Sequence, residues 1–284
     1  MSSENAVEKA DLAAEVKRLR ERIAAYESSR WWRLHPRFAL RRFQRRTNTR
    51  TEEPTAVGPE IPSDFDEWDA ELCRRVQPYT LTTPGKIYAL ARAVEYVAKH
   101  PIPGGLVECG VWRGGSVMAI ALTLLRADVT DRDLYLFDTF TGMTEPGDED
   151  IKRGGRPAAE ILRQTNRGHG IWAEASVEEV REAVLSVGYP EERVHFVKGR
   201  VEDTLPTKAP ERIALLRLDT DWYASTKHEL THLYPRLAAG GVLIIDDYDY
   251  WLGSRKAVDE YLYDNDLRIL LTPIDHGARV AVKV

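Results

Sequence analysis

The sequence predicts an α/β protein: a doubly wound, mostly parallel seven-stranded sheet with a helical appendage at its N-terminus. Three observations carry this. Short apolar runs without strict alternation recur from residue 105 onward, as strands covered on both faces require. Between most of them lie stretches with apolar residues at helical spacing, and strands alternating with helices make a parallel sheet. The charge also divides the chain. Residues 1–50 hold 13 Lys and Arg against 6 Asp and Glu, whereas the remainder holds 27 against 39. A segment of net charge +7 thus precedes a body of −12, and the overall −5 describes neither.

With 43% hydrophobic and 30% charged residues in 284, a buried core is expected and wholesale disorder is excluded. Two cysteines, Cys73 and Cys109, cannot build a disulfide framework and point to a reducing, cytoplasmic setting. No apolar run reaches the ~18–20 residues needed to cross a bilayer, and the N-terminus lacks the apolar stretch of a secretory signal.

The elements follow in order. Leu12, Val16, Leu19, Ile23 and Tyr26 form a heptad stripe that predicts a short amphipathic or coiled-coil helix within residues 1–29. Such a helix either docks on its own body or joins a second copy, making a homo-oligomer. Residues 30–50 carry eight arginines and no acidic residue, interleaved with Trp31, Trp32, Leu34, Phe38, Leu40 and Phe43. That composition suits either an anionic membrane surface, with the protein peripheral on the inner face, or a basic linker packing on the acidic body. The acidic body argues against nucleic acid as a partner. Three prolines in residues 47–64 mark a linker, so the folded body is expected over 65–284.

Within the body, Pro84–His100 has helical spacing and Gly105–Gly110 is a first strand. Val117–Leu125 is a helix, and Leu134–Asp138 and Val194–Lys198 are strands two and three. Ile213–Asp219 is the fourth strand, followed by a helix through Leu237. Val242–Asp246 is the fifth, followed by a helix over Arg255–Tyr263. Strands over Leu267–Leu271 and Arg279–Val284 end the chain.

Ligands of open α/β sheets sit at the carboxyl ends of the strands. Glu108, Asp138, Asp219, Asp246 and Asp247 all lie near such ends. The glycine-rich turn Gly110–Ser116 leads into a helix, whose unpaired N–H groups favour an anionic moiety. Its spacing is not that of the dinucleotide motif. Asp138, about 20 residues on, suits ribose hydroxyls. If the fourth and fifth strands are neighbours, Asp219, Asp246 and Asp247 converge, and a hard divalent cation such as Mg²⁺ would offset their repulsion. Alternatively, Asp246 and Asp247 cap a helix or sit solvated in a loop. The histidines show no zinc spacing. Neither a Gly-x-Ser-x-Gly elbow nor a phosphate-binding Gly-x-x-x-x-Gly-Lys loop is present.

Four blocks carry a resemblance: Val107–Ser116 (VECGVWRGGS), Leu136–Met143 (LFDTFTGM), Leu216–Tyr223 (LRLDTDWY) and Gly240–Tyr248 (GGVLIIDDY). Together they are similar to the macrocin O-methyltransferase family of sugar O-methyltransferases, from about Tyr79 to the C-terminus. The resemblance implies a Rossmann-like class I methyltransferase fold, S-adenosylmethionine, a divalent metal and a sugar-containing acceptor. By the family's motifs, Glu108, Gly110 and Ser116 would surround the methionine part of the cofactor and Asp138 its ribose. Arg200, Val201 and Glu202 would border adenine, and Thr80 would belong to a segment closing over the cofactor. Asp219, Asp246 and Asp247 would hold Mg²⁺. The weakly patterned stretch from Thr144 to Glu182 would recognise the acceptor.

A sugar hydroxyl is a very weak acid, and a divalent cation lowers the pKa of an oxygen it binds. A carboxylate then takes the proton as the oxygen attacks the sulfonium methyl. Asp219 is the candidate for both ligand and catalytic base, with Asp221 and His276 as other bases. Two further readings stand beside this one: a catalytically silent methyltransferase-fold protein of cell-surface polysaccharide assembly, and a nicotinamide oxidoreductase.

Overall fold

The computed structural model describes residues 61–165 and 170–284. The helix expected within 1–29 and the basic segment over 30–50 lie outside the described residues.

Seven strands form one sheet: β1 (Gly105–Cys109), β2 (Leu134–Asp138), β3 (Val194–Lys198), β4 (Ile213–Leu218), β5 (Leu237–Ile245), β6 (Thr272–Pro273) and β7 (Arg279–Val282). Their order is β3-β2-β1-β4-β5-β7-β6. The strands from β3 to β5 pair in parallel, and β7 runs antiparallel to both β5 and β6. The order reverses between β1 and β4, which makes that pair the topological switch point where a ligand crevice opens.

Two cores cover the two faces. On one, α1 (Glu67–Val76), α2 (Pro84–Lys99) and α3 (Gly115–Arg126) bury Leu90, Val94, Met118 and Leu124 against Leu106, Leu215 and Ile244. On the other, α7 (Tyr223–Leu233) and α8 (Leu252–Asp264) bury Leu230, Leu233 and Val258 against Val107, Leu216 and Ile245. Short helices α4 (Ala158–Gln164), α5 (Val177–Leu185) and α6 (Val201–Thr204) lie between β2 and β4 in the chain. Among the described residues no helix is long and apolar enough to cross a membrane.

The structure departs from the sequence pattern at four places, the first being that the helix after β4 ends at Leu233 and Leu237 already opens β5. Residues 267–271 are not a strand: Leu267, Ile269 and Leu271 alternate as a strand would and pack on the second core, but sheet pairing begins only at Thr272. Helix α1 precedes Pro84, its N-terminus capped by Asp66, whose side chain accepts from the Asp69 N–H at 2.8 Å. The weakly patterned stretch holds α4 and α5, the latter started by a reciprocal capping box between Ser176 and Glu179.

Candidate active site

Alternation along the strands decides which polar side chains meet. Leu106, Leu215 and Ile244 point into the α1–α3 core, so residues two further on, Glu108, Arg217 and Asp246, share that face, and Asp219 follows Arg217 on it. Glu108 is in register with Arg217, which is in register with Ile244. The ladder continues past the strand ends: the Asp219 N–H donates to the Cys109 carbonyl and the Asp246 N–H to the Leu218 carbonyl, each at 2.9 Å. The close approach of β1 and β4 needs Gly110, at φ 83°, because a Cβ there would lie 2.0 Å from the Asp219 carbonyl oxygen.

Arg217 organises the cluster. Its side chain is 2% exposed, and its Nη1 donates to Asp219 Oδ2 at 2.8 Å and to Glu108 Oε1. Its Nη2 donates to Asp246 Oδ1 at 2.6 Å and to Thr82 Oγ1 at 3.2 Å. From the first turn of α2, Lys86 Nζ donates to Asp246 Oδ2 at 2.6 Å. Two protein cations therefore supply part of the counter-charge that the sequence pattern assigned to a metal alone. Arg217 was readable in the sequence as the one charged residue in the run Ile213–Leu218.

The cluster remains rich in negative charge. Oxygens of Asp219, Asp246 and Asp247 lie within 4.8 Å of one another. Asp247 Oδ2 is buried with no donor reaching it, and the neighbouring group is a second carboxyl, that of Asp221. Two such carboxyls need a proton or a cation between them. Burial raises Asp219 well above the carboxylate range against the pull of Arg217, and Asp246 and Asp247 add to the rise. Asp247 is raised well above that range by burial, then by Asp221 and Asp246. Burial also works against the Asp246 carboxylate, but Arg217 and Lys86 outweigh it and hold its pKa low. Asp221 is pushed up to about 7 by burial and then by Asp219. Its φ of 66° lies in the left-handed region that non-glycine residues rarely adopt outside functional turns.

These groups open onto a cavity of about 950 Å³. Thr80, Gly110, Ser116, Asp138 and Val201 line it, together with Asp219, Asp221, Asp246 and Asp247. Glu108 does not line it; it stands behind the wall, against Arg217, and burial pushes it up to about 7. Asp138 Oδ2 accepts from the Val111 and Trp112 N–H groups at 2.6 and 3.0 Å, so one carboxylate organises the glycine-rich turn. Thr80 presses on the start of α3, where a Cβ on Gly115 would lie 2.6 Å from it.

The description Macrocin-O-methyltransferase (TylF) belongs to a family model that matches residues 27–282. The chain is a member of this family. The match begins well before Tyr79, inside the segment that the four sequence blocks left uncovered. Over 216 residues the chain is 35% identical to demethyldecarbamoylnovobiocin O-methyltransferase of Streptomyces niveus, covering 76% of this chain and 78% of that protein. Mycinamicin III 3''-O-methyltransferase of Micromonospora griseorubida is 34% identical over 183 residues, 64% of this chain and 70% of its own. Among solved structures, the O-methyltransferase NovP is 34% identical with a TM-score of 0.63, covering 72% of this chain and 82% of NovP. As a macrocin O-methyltransferase family member, the chain is an S-adenosylmethionine-dependent O-methyltransferase, and the nicotinamide reading is set aside.

Part of the weakly patterned stretch from Thr144 lines the cavity of this family member, through Thr144, Lys152 and Arg153. Asp150, 1% exposed, accepts from the Tyr223 and Gly147 N–H groups, each at 2.7 Å. Trp222 Nε1 donates to the Thr144 carbonyl at 3.0 Å, and its ring meets Trp251 edge-on with centroids 5.0 Å apart. The Leu252 N–H donates to the Ile151 carbonyl at 2.8 Å. This latch carries Lys152 and Arg153 to the cavity beside Tyr250 and Trp251.

Proposed function

We propose that the enzyme methylates a sugar hydroxyl of a glycosylated small molecule, and that a divalent cation held by Asp219, Asp246 and Asp247 assists the reaction. The observation carrying this is the single cavity that joins the glycine-rich turn and Asp138 to the carboxylate cluster. S-adenosylmethionine supplies the electrophilic methyl group, and a hard divalent cation lowers the pKa of a hydroxyl beside it. An all-oxygen donor set favours Mg²⁺ over zinc, and the donor-free oxygen of Asp247 is suited to it.

The chain's own residues then have distinct tasks. Gly110, Ser116, Thr80 and Asp138 hold the cofactor, with Val201 at its adenine end. Glu108 acts at one remove, by fixing Arg217. Asp219, tied to Arg217 at 2.8 Å, is assigned to the cation. Asp221, raised to about 7 and lining the cavity, takes the proton from the acceptor hydroxyl. Burial of both reactants excludes water and fixes their approach. Acceptor recognition falls to the latched segment from Thr144 and to Tyr250.

The Arg/Trp segment at 30–50 is proposed to hold the enzyme at an anionic membrane surface, which cosedimentation with anionic liposomes tests. For the reaction, the chain is incubated with S-adenosylmethionine and a panel of glycosylated natural products, with and without chelator, and products are read by mass spectrometry. Methylation of a sugar hydroxyl that stops on chelation is expected. Absence of methylated sugar across the panel refutes the acceptor class, and full turnover under chelation refutes the metal.

A further inference from the structure

Of the three clustered carboxylates, Asp246 has both oxygens engaged: Oδ1 by Arg217 and Oδ2 by Lys86. The two cations are held differently. Arg217 is enclosed by Glu108, Asp219 and Asp246 and spans them as a rigid fork. Lys86 lines the cavity, is 13% exposed, and reaches the cluster on a flexible four-carbon stem.

Alternative anchors surround the Lys86 ammonium. Its Nζ also donates to the Asp246 main-chain carbonyl at 3.1 Å. A Cβ on Gly277 would sit 3.5 Å from Lys86 Nζ and 3.7 Å from Asp275 Oδ1, so the ammonium and a fourth carboxylate border one point. Asp275 is fixed there by Thr83, whose hydroxyl donates to Asp275 Oδ2 at 3.0 Å and accepts from the Lys86 N–H at 3.3 Å. A displaced ammonium therefore has a carbonyl and a carboxylate within its range without leaving the site.

We propose that Lys86 is a resident cation on Asp246 that a divalent metal must displace, and that it thereby sets the enzyme's metal affinity. This rests on the reading of Asp219, Asp246 and Asp247 as the metal's ligands. The physical argument is competition: a fixed ammonium at one oxygen of the ligand set repels an incoming dication and holds one of its donors. A lysine that merely positioned Asp246 would act in the opposite sense, because its loss would disorder a ligand and weaken metal binding. The sign of the effect separates the two roles.

The test is calorimetric titration of Mg²⁺ into the full chain without cofactor, comparing wild type with Lys86→Met and Lys86→Gln. Glutamine keeps a hydrogen-bond donor for Asp246, so the comparison survives if the methionine variant does not fold. Mg²⁺ binding at least about tenfold tighter in the folded variants is expected, with a larger Mg²⁺-induced rise in Tm. Unchanged or weaker binding in a folded variant, beside a wild type that binds Mg²⁺, overturns the role of Lys86 and leaves the metal reading intact. No Mg²⁺ uptake by wild type or variants overturns both.

Discussion

Arg217 Nη2 lies 2.6 Å from Asp246 Oδ1, deep in the sheet at the junction of β4 and β5. The same guanidinium reaches Glu108 on β1 and Asp219 beyond the end of β4. Arg217 therefore crosses the switch point and ties the cofactor-side strand to the carboxylates of the cluster. Replacing it by methionine leaves three carboxylates without their shared cation. Removing one partner from a buried ion pair costs about 3–5 kcal/mol. Arg217→Met should lower the unfolding free energy by that amount, read in urea as a lower midpoint with little change in slope. A loss below about 1 kcal/mol, the range of an exposed pair, would show that the network contributes little.

Asp221 and Glu108 are both pushed up to about 7, and each gives stability a definite pH dependence. Above its ordinary pKa the unfolded chain has released the Asp221 proton while the folded chain retains it. Stability from this group is thus fully present at low pH and falls as pH rises towards about 7, by at most about 1.4 kcal/mol per pH unit. Unfolding of the metal-free protein at about pH 5 and about pH 7 should show the decline. Asp221→Asn should flatten it by one proton's worth and leave the part due to Glu108, Asp219 and Asp247. In turnover, the same variant should lose roughly 10²–10⁴-fold in kcat, the usual contribution of a general base. A variant with full kcat would return the base role to Asp219 or His276.

Asp247 is where the proposed metal site can be tested apart from cofactor binding. Its Oδ2 has no donor, and it stands apart from Asp138 and the glycine-rich turn in the chain. Asp247→Asn should weaken Mg²⁺ binding by at least about tenfold, which is ~1.4 kcal/mol, and leave S-adenosylmethionine affinity unchanged. Paired titrations of the two ligands check this. Equal losses for both would mean that Asp247 shapes the cavity as a whole.

Much of this architecture was legible in the chain because parallel strands covered on both faces must be apolar throughout. Runs such as Ile213–Leu218 and Val242–Ile245 therefore announce themselves. The acidic residues ending those runs gave the rim of the cavity. The edge of the sheet was harder to read. Leu267, Ile269 and Leu271 alternate because they pack on the core, and alternation alone does not say whether a backbone partner exists. The family resemblance put Glu108 near the cofactor, and the fold turns its carboxylate to Arg217. That pairing depends on strand order and register, which only the fold supplies. Lys86 sits near Asp246 across 160 residues of chain, and no local pattern connects them.

Asp150 is a further buried carboxylate whose role can be isolated. It is held by two main-chain donors, from Tyr223 and Gly147, close in the chain to the cavity-lining Lys152 and Arg153. Burial raises its pKa while those two bonds pull it down. Tyr223 opens α7, only two residues beyond Asp221, so Asp150 fixes its segment to the start of the helix that follows the proposed base. Alanine at 150 leaves both N–H groups without that acceptor, a loss of about 1–3 kcal/mol if water does not replace it. The glycine-rich turn, organised by Asp138 on β2, has no bond to Asp150. Asp150→Ala should therefore raise KM for the acceptor while the Kd for S-adenosylmethionine stays constant. Measuring both on one preparation decides the matter: a variant that loses cofactor affinity in proportion has unfolded the cavity, whereas a rise in acceptor KM alone assigns Asp150 to holding the acceptor wall.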